Sequence, residues 1–167
     1  MSPALPAIDP SDPHRDQVYS AEAAALPDGG RRFGRFAQLT AWVDDVVIDS
    51  WWAATFPDAP IEVVIERRSR GATFSCATVA PDRSIGLLLI RDGSWDAVTV
   101  IHELAHMATL TPDQIAGAPA HGPDFVDALV ELWRRHLGIH AYGALCSALD
   151  ERDVPRRRER RPGVSSV

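Results

Sequence analysis

The stretch "VTVIHELAHMATL", residues 98–110, decides how this chain is read, because it contains both a helical apolar pattern and three groups that can do chemistry. Val98, Val100, Ile101, Leu104 and Ala105 surround His102, Glu103 and His106, so a helix here is substantially buried. In an α-helix, residues four apart point the same way one turn apart, and His102 and His106 can therefore offer two imidazoles to one ion. Glu103 is offset by one residue, which leaves its carboxylate free to reach a water held at that ion. This is the physical content of the HExxH pattern. Chance supplies the pattern in a chain of this length on the order of once in a few hundred sequences. Two histidines and a glutamate among apolar neighbours are also costly to bury unless a metal or hydrogen bonds satisfy them.

Two imidazoles are too few for a catalytic zinc, which takes three protein ligands and keeps one position open. Downstream, Asp113, His121, Asp124, Asp127 and Glu131 are the available donors, and His121 is the preferred one. The 14 residues between His106 and His121 let the chain leave the helix, loop round and return. Gly117, Pro119, Gly122 and Pro123 supply the turn chemistry for that path. Pro123 suits the first position of a following helix, which fixes His121 just ahead of it. Asp124, in the first turn, complements the helix dipole or orients a ligand.

The rest of the chain reads as α+β. Residues 16–26, "DQVYSAEAAAL", form a helix with Val18, Ala21 and Ala25 on one face. Residues 34–56 place Phe36, Leu39, Val43, Val46 and Val47 at helical spacing, which predicts one long amphipathic helix stopped by Pro57. Three short segments follow: "IEVVIE" (61–66), "ATFSCATV" (72–79) and "IGLLLI" (85–90). Their length and the turn-rich linkers between them predict a small three-stranded antiparallel sheet. Ser94 is placed to cap the HELAH helix, a further helix starts at Pro123 and ends near Gly138, and a last short one covers Tyr142 to Leu149. The expected organisation is a single domain over residues 15–153, between disordered ends at 1–14 and 154–167. Of the five tryptophans, the adjacent Trp51 and Trp52 cannot both face one core.

Charge and cysteine usage narrow the function. Only Cys76 and Cys146 are present, far apart, so neither a disulfide framework nor a thiolate zinc site is supported. All 17 basic residues are arginines; five stand in "PRRRERRP" (155–162), leaving 12 against 22 acids in residues 1–154. That acidic body argues against a broad nucleic-acid face. The tail reads as a solubilising end, with recruitment to nucleic acid as the alternative. No run of 18 apolar residues exists and the N-terminus lacks the pattern of a secretory signal, so a cytoplasmic protein without membrane contact is expected.

"VIHELAHMATL" followed by "AHGPDFVDALVELW" resembles an actinobacterial family of small zinc metallohydrolases, as do "DQVYSAE" and the three-strand segment, over roughly residues 15–153. More distantly it is similar to the SprT-like metalloproteases, which share HExxH and a later His-Gly pair, although zinc-ribbon cysteines are lacking here. The resemblance implies a zincin-like fold, one zinc ion held by His102, His106 and His121, and Glu103 as general base. Peptide-bond hydrolysis is the first expectation, with an unidentified peptide or protein substrate pairing along Ala72–Val79 as an edge strand. Tyr142, His136 and His140 are possible oxyanion donors, and none is assigned. A catalytically silent, metal-stabilised binding or sensor module is the rival reading.

Overall fold

The apolar segment "IGLLLI" becomes the centre of the sheet rather than its last member. In the computed structural model, which describes residues 12–110 and 120–157, three strands form: β1 (Glu62–Arg68), β2 (Cys76–Val79) and β3 (Ile85–Arg91). Their order is β1-β3-β2. β2 pairs antiparallel with β3, Cys76 opposite Leu89 and Val79 opposite Gly86, through a tight turn closed by Ala80 N–H to the Ile85 carbonyl. β1 pairs parallel with β3, from Glu62 opposite Ile85 to Arg68 opposite Arg91.

The sheet is therefore mixed, which corrects the antiparallel expectation. The reason lies in residues 69–75, too long for a hairpin turn: they carry the chain from one edge of the sheet to the other, a distance of about two strand spacings, or ~10 Å. β3 takes the middle because it is the most apolar strand, with Leu88 and Ile90 fully buried. The charged β1 and the short β2 are left as edges. Residues 72–75, read from sequence as part of a strand, are not paired within the sheet, which β2 enters only at Cys76.

Six helices surround this sheet among the described residues: α1 (Arg15–Ala25), α2 (Phe36–Ile48), α3 (Ser50–Thr55), α4 (Ala97–Thr109), α5 (Pro123–His136) and α6 (Ile139–Asp150). Three helices, not two, precede the sheet. The single long helix expected over 34–56 is broken at Asp49, whose backbone is extended (φ −62°, ψ 132°) and whose carboxylate accepts the Trp51 amide at 2.8 Å. An aspartate competing for backbone donors starts a new helix in preference to continuing the old one. The new direction buries Trp52, whose indole donates to the Pro60 carbonyl at 3.0 Å, and leaves Trp51 half-buried.

The helix carrying HELAH is the axis of the domain. Its N-cap is Asp96, two residues beyond the expected Ser94, with the carboxylate accepting the Thr99 amide at 2.9 Å. α4 packs on β2 and β3 on one side and on α5 on the other, while α1 packs against α6. Gly86 permits the close approach of sheet and helix, since a β-carbon there would fall 2.6 Å from Met107 Sδ. Gly138 (φ +89°) makes the left-handed turn between α5 and α6. Most of the expected unstructured ends, residues 1–11 and 158–167, lie outside the described residues, as does Asp113.

Candidate metal centre

α4 presents His102 and His106 on one face, and the turn entering α5 brings His121 to meet them. Gly122 is the N-cap of α5 and Pro123 its first residue, which holds His121 where the spacing placed it. One ring nitrogen from each histidine lies within 4.8 Å of the other two. The three histidines lie close enough to bind a metal ion. His102 and His121 are buried and His106 is half-buried. Phe125, one turn into α5, packs against all three rings at centroid distances of 5.0, 4.3 and 4.7 Å.

The other sequence candidates for a third ligand are elsewhere. Asp124 is exposed and pairs with Arg157 at 2.6 Å, so it sits at the dipole-favoured helix start but does not orient a ligand. Glu131 pairs with Arg134 at 2.8 Å on the outer face of α5. Asp127 is outside the cluster, and burial raises the pKa of its carboxyl.

Two carboxylates that the sequence reading missed hold the ligand rings. Glu22 of α1 meets His102 Nδ1 at 2.8 Å, and Asp12 meets His121 Nδ1 at 2.6 Å while also accepting the His121 amide at 3.1 Å. Each carboxylate is almost fully buried. With Nδ1–H donated outward on both rings, Nε2 of His102 and Nε2 of His121 face each other at 3.1 Å. Two lone pairs repel at that distance, so the pair must share a proton or a cation. For His102, burial disfavours the charged form but the charge and hydrogen bond of Glu22 outweigh it and raise the pKa. Burial and the neighbouring His102 lower His121 to about 4, and His106 is lowered well below the usual imidazole range for the same reasons. In the metal-free state, then, protonation is favoured at His102 and disfavoured at His121 and His106. A tetrahedral cation that takes neutral imidazole nitrogens fits this donor set. Glu22 was legible in one respect: it follows Val18 by four residues and so falls on the apolar face of α1.

Glu103 is buried on the adjacent side of α4, and burial raises its carboxyl to about 7, against an opposing pull from His102. It borders a cleft of about 520 Å³ lined also by Tyr19, Glu22, Thr73, Phe74 and His102. Tyr19, on α1, stacks on His102 with centroids 4.5 Å apart and planes 20° apart, and burial beside Glu103 and Glu22 raises its phenol pKa. Thr73, Phe74 and Ser75, which lead into β2, are the part of the lining contributed by the sheet segment.

The oxyanion candidates named from sequence do not line this cleft. His136 packs edge-on against Trp42 and Trp51 at 6.0 and 5.5 Å, as a core histidine does, and His140 is exposed on α6. Tyr142 is half-buried on the same helix. Comparisons with protein-family models, curated proteins and solved structures give no match. Among the described residues no helix is long and apolar enough to cross a membrane.

Proposed function

We propose that this chain is a zinc-dependent metallohydrolase of zincin-like arrangement, most directly a peptidase. The observation that carries the reading is the convergence of three imidazoles, two of them clamped from behind by carboxylates, beside a buried glutamate that opens on a cleft. Zinc is the ion that three imidazoles with an open fourth position suit best, and when bound it supplies Lewis-acid activation of water near neutral pH.

The chain's own groups divide the remaining work. Glu22 and Asp12 keep His102 and His121 in the tautomer that points Nε2 inward. Glu103, whose pKa of about 7 lies near the operating pH, accepts a proton at a carboxylate oxygen from the attacking water and returns it to the leaving amine. Beside a bound divalent cation, Glu103 would be present more fully as the carboxylate that can accept the proton. Thr73 to Ser75 line the cleft and lead into β2, an edge strand of the kind that can pair with the backbone of an extended peptide.

The test is elemental mass spectrometry of dialysed protein, wild type beside His121→Ala, followed by a peptide-library cleavage assay with Glu103→Gln as the control. Near-stoichiometric zinc, lost in His121→Ala, together with cleavage abolished by Glu103→Gln and retained zinc in that variant, supports the reading. Well-folded protein that takes up no zinc on reconstitution sinks it. Zinc binding without any cleavage leaves a metal-stabilised binding module instead.

A further inference from the structure

A second cavity adjoins the cleft and has the opposite electrostatic character from the rest of the body. It is a groove of about 860 Å³ lined by Arg32, Phe33, Arg67, Arg70, Asp92 and Trp95. Residues 1–154 carry 12 arginines against 22 acids, yet three of those arginines line this one groove and Asp92 is its sole carboxylate. Asp92 is shared between Arg67 at 3.0 Å and Arg70 at 3.5 Å, so it neutralises at most one of them. Arg67 lies 4.8 Å over the Trp95 ring, which fixes its guanidinium while leaving the side chain half exposed. Arg70 is 93% exposed, and Arg32 is exposed as well.

The loop from β3 to α4 lines both cavities, with Arg91 and Ser94 on the cleft and Asp92, Gly93 and Trp95 on the groove. On the charge and exposure of its arginines we infer that the groove is a specificity subsite that binds the carboxylate side chains of an acidic segment of a polypeptide substrate.

This rests on the peptidase reading for the word substrate, but not for the binding itself. A nucleic acid fits the groove less well. Its charge is continuous, and outside the arginines it would meet a body with 12 arginines against 22 acids. A polypeptide can place acids over the arginines alone. Guanidinium groups pair with carboxylates through two parallel hydrogen bonds, and Arg32 and Arg70 have the exposure to do so.

The test uses the full chain, zinc-reconstituted and carrying Glu103→Gln so that no turnover occurs. Fluorescence anisotropy is read with a short fluorescein-labelled peptide bearing a block of glutamates, with its glutamine counterpart, and with a single-stranded oligothymidine. The glutamate peptide is expected to bind at least ~10-fold tighter than the glutamine peptide, and Arg32→Glu with Arg70→Glu to remove that difference. Both side chains are exposed, so the fold tolerates the change. Asp92→Asn has the opposite expected sign, tightening the glutamate peptide about 3-fold by freeing Arg67 and Arg70. Equal affinity for the two peptides, or no response to either change of charge, overturns the inference. Oligothymidine binding that is tighter than the glutamate peptide and lost in the arginine variants assigns the groove to nucleic acid and also overturns it. None of these readouts depends on hydrolysis, so failure of the peptidase reading is seen separately, in the cleavage assay.

Discussion

His102 Nε2 and His121 Nε2 stand 3.1 Å apart, each ring held from its other side by a buried carboxylate, Glu22 for one and Asp12 for the other. These four residues come from three separate parts of the chain, and the geometry makes each carboxylate a determinant of metal affinity. Glu22→Gln and Asp12→Asn should each weaken zinc binding by about 10- to 100-fold, because the amide can still occupy the space but fixes the imidazole tautomer poorly. Competition against a chromophoric chelator measures this. Unchanged affinity in both variants would show that the rings are positioned by packing alone.

Metal uptake should release a proton. The pKa of His102 is raised by Glu22 despite burial, whereas His121 and His106 are lowered and already neutral. The sign follows: as pH falls through the raised His102 value, protons compete with zinc and affinity drops by about tenfold per pH unit, whereas well above it affinity becomes level. Calorimetric titration in buffers of different ionisation enthalpy counts the proton. A count of zero near neutral pH would contradict the shared-proton arrangement.

Glu103 should cost the metal-free protein stability as pH rises. Burial lifts its carboxyl from 4.5 to about 7, so the folded state favours the neutral acid. A raised folded-state pKa gives a contribution fully present below the unfolded value and lost as pH rises through the folded one. In the presence of chelator, Glu103→Gln should therefore gain on wild type between pH ~4.5 and ~7, by a limit of roughly 3 kcal/mol. Urea unfolding of both proteins across that range tests it, and parallel stability curves would mean that Glu103 is not desolvated in solution.

Phe125 ties the site to the core. It is fully buried and touches all three histidine rings. Phe125→Ala should cost about 3–5 kcal/mol through the cavity it leaves, and zinc affinity should fall along with stability. Phe125→Leu, nearer in volume, should recover most of both. Metal affinity untouched in a destabilised Phe125→Ala protein would separate the centre from its apolar floor.

How much of this was legible without the fold depends on the range of the interaction. Helix periodicity and the four-residue spacing of His102 and His106 are properties of one turn of backbone, and Pro123 with Gly122 located His121 by equally local turn and cap chemistry. The apolar runs likewise placed three strands and most helices, so the α+β class and the His102–His106 pair were legible locally, with His121 the preferred third donor among five; their convergence is a tertiary fact. The sequence by itself did not determine that Asp49 breaks the helix, because aspartate is compatible with a helix surface until Trp52 must be buried in a new direction. Nor did it determine the parallel pairing of β1 with β3, which depends on where the chain of residues 69–75 lands. Glu22 and Asp12 were the largest omission. A carboxylate's partner 80 or 109 residues away leaves no local period, and only packing of α1 and the segment before it beside α4 and the start of α5 makes those two acids part of the site.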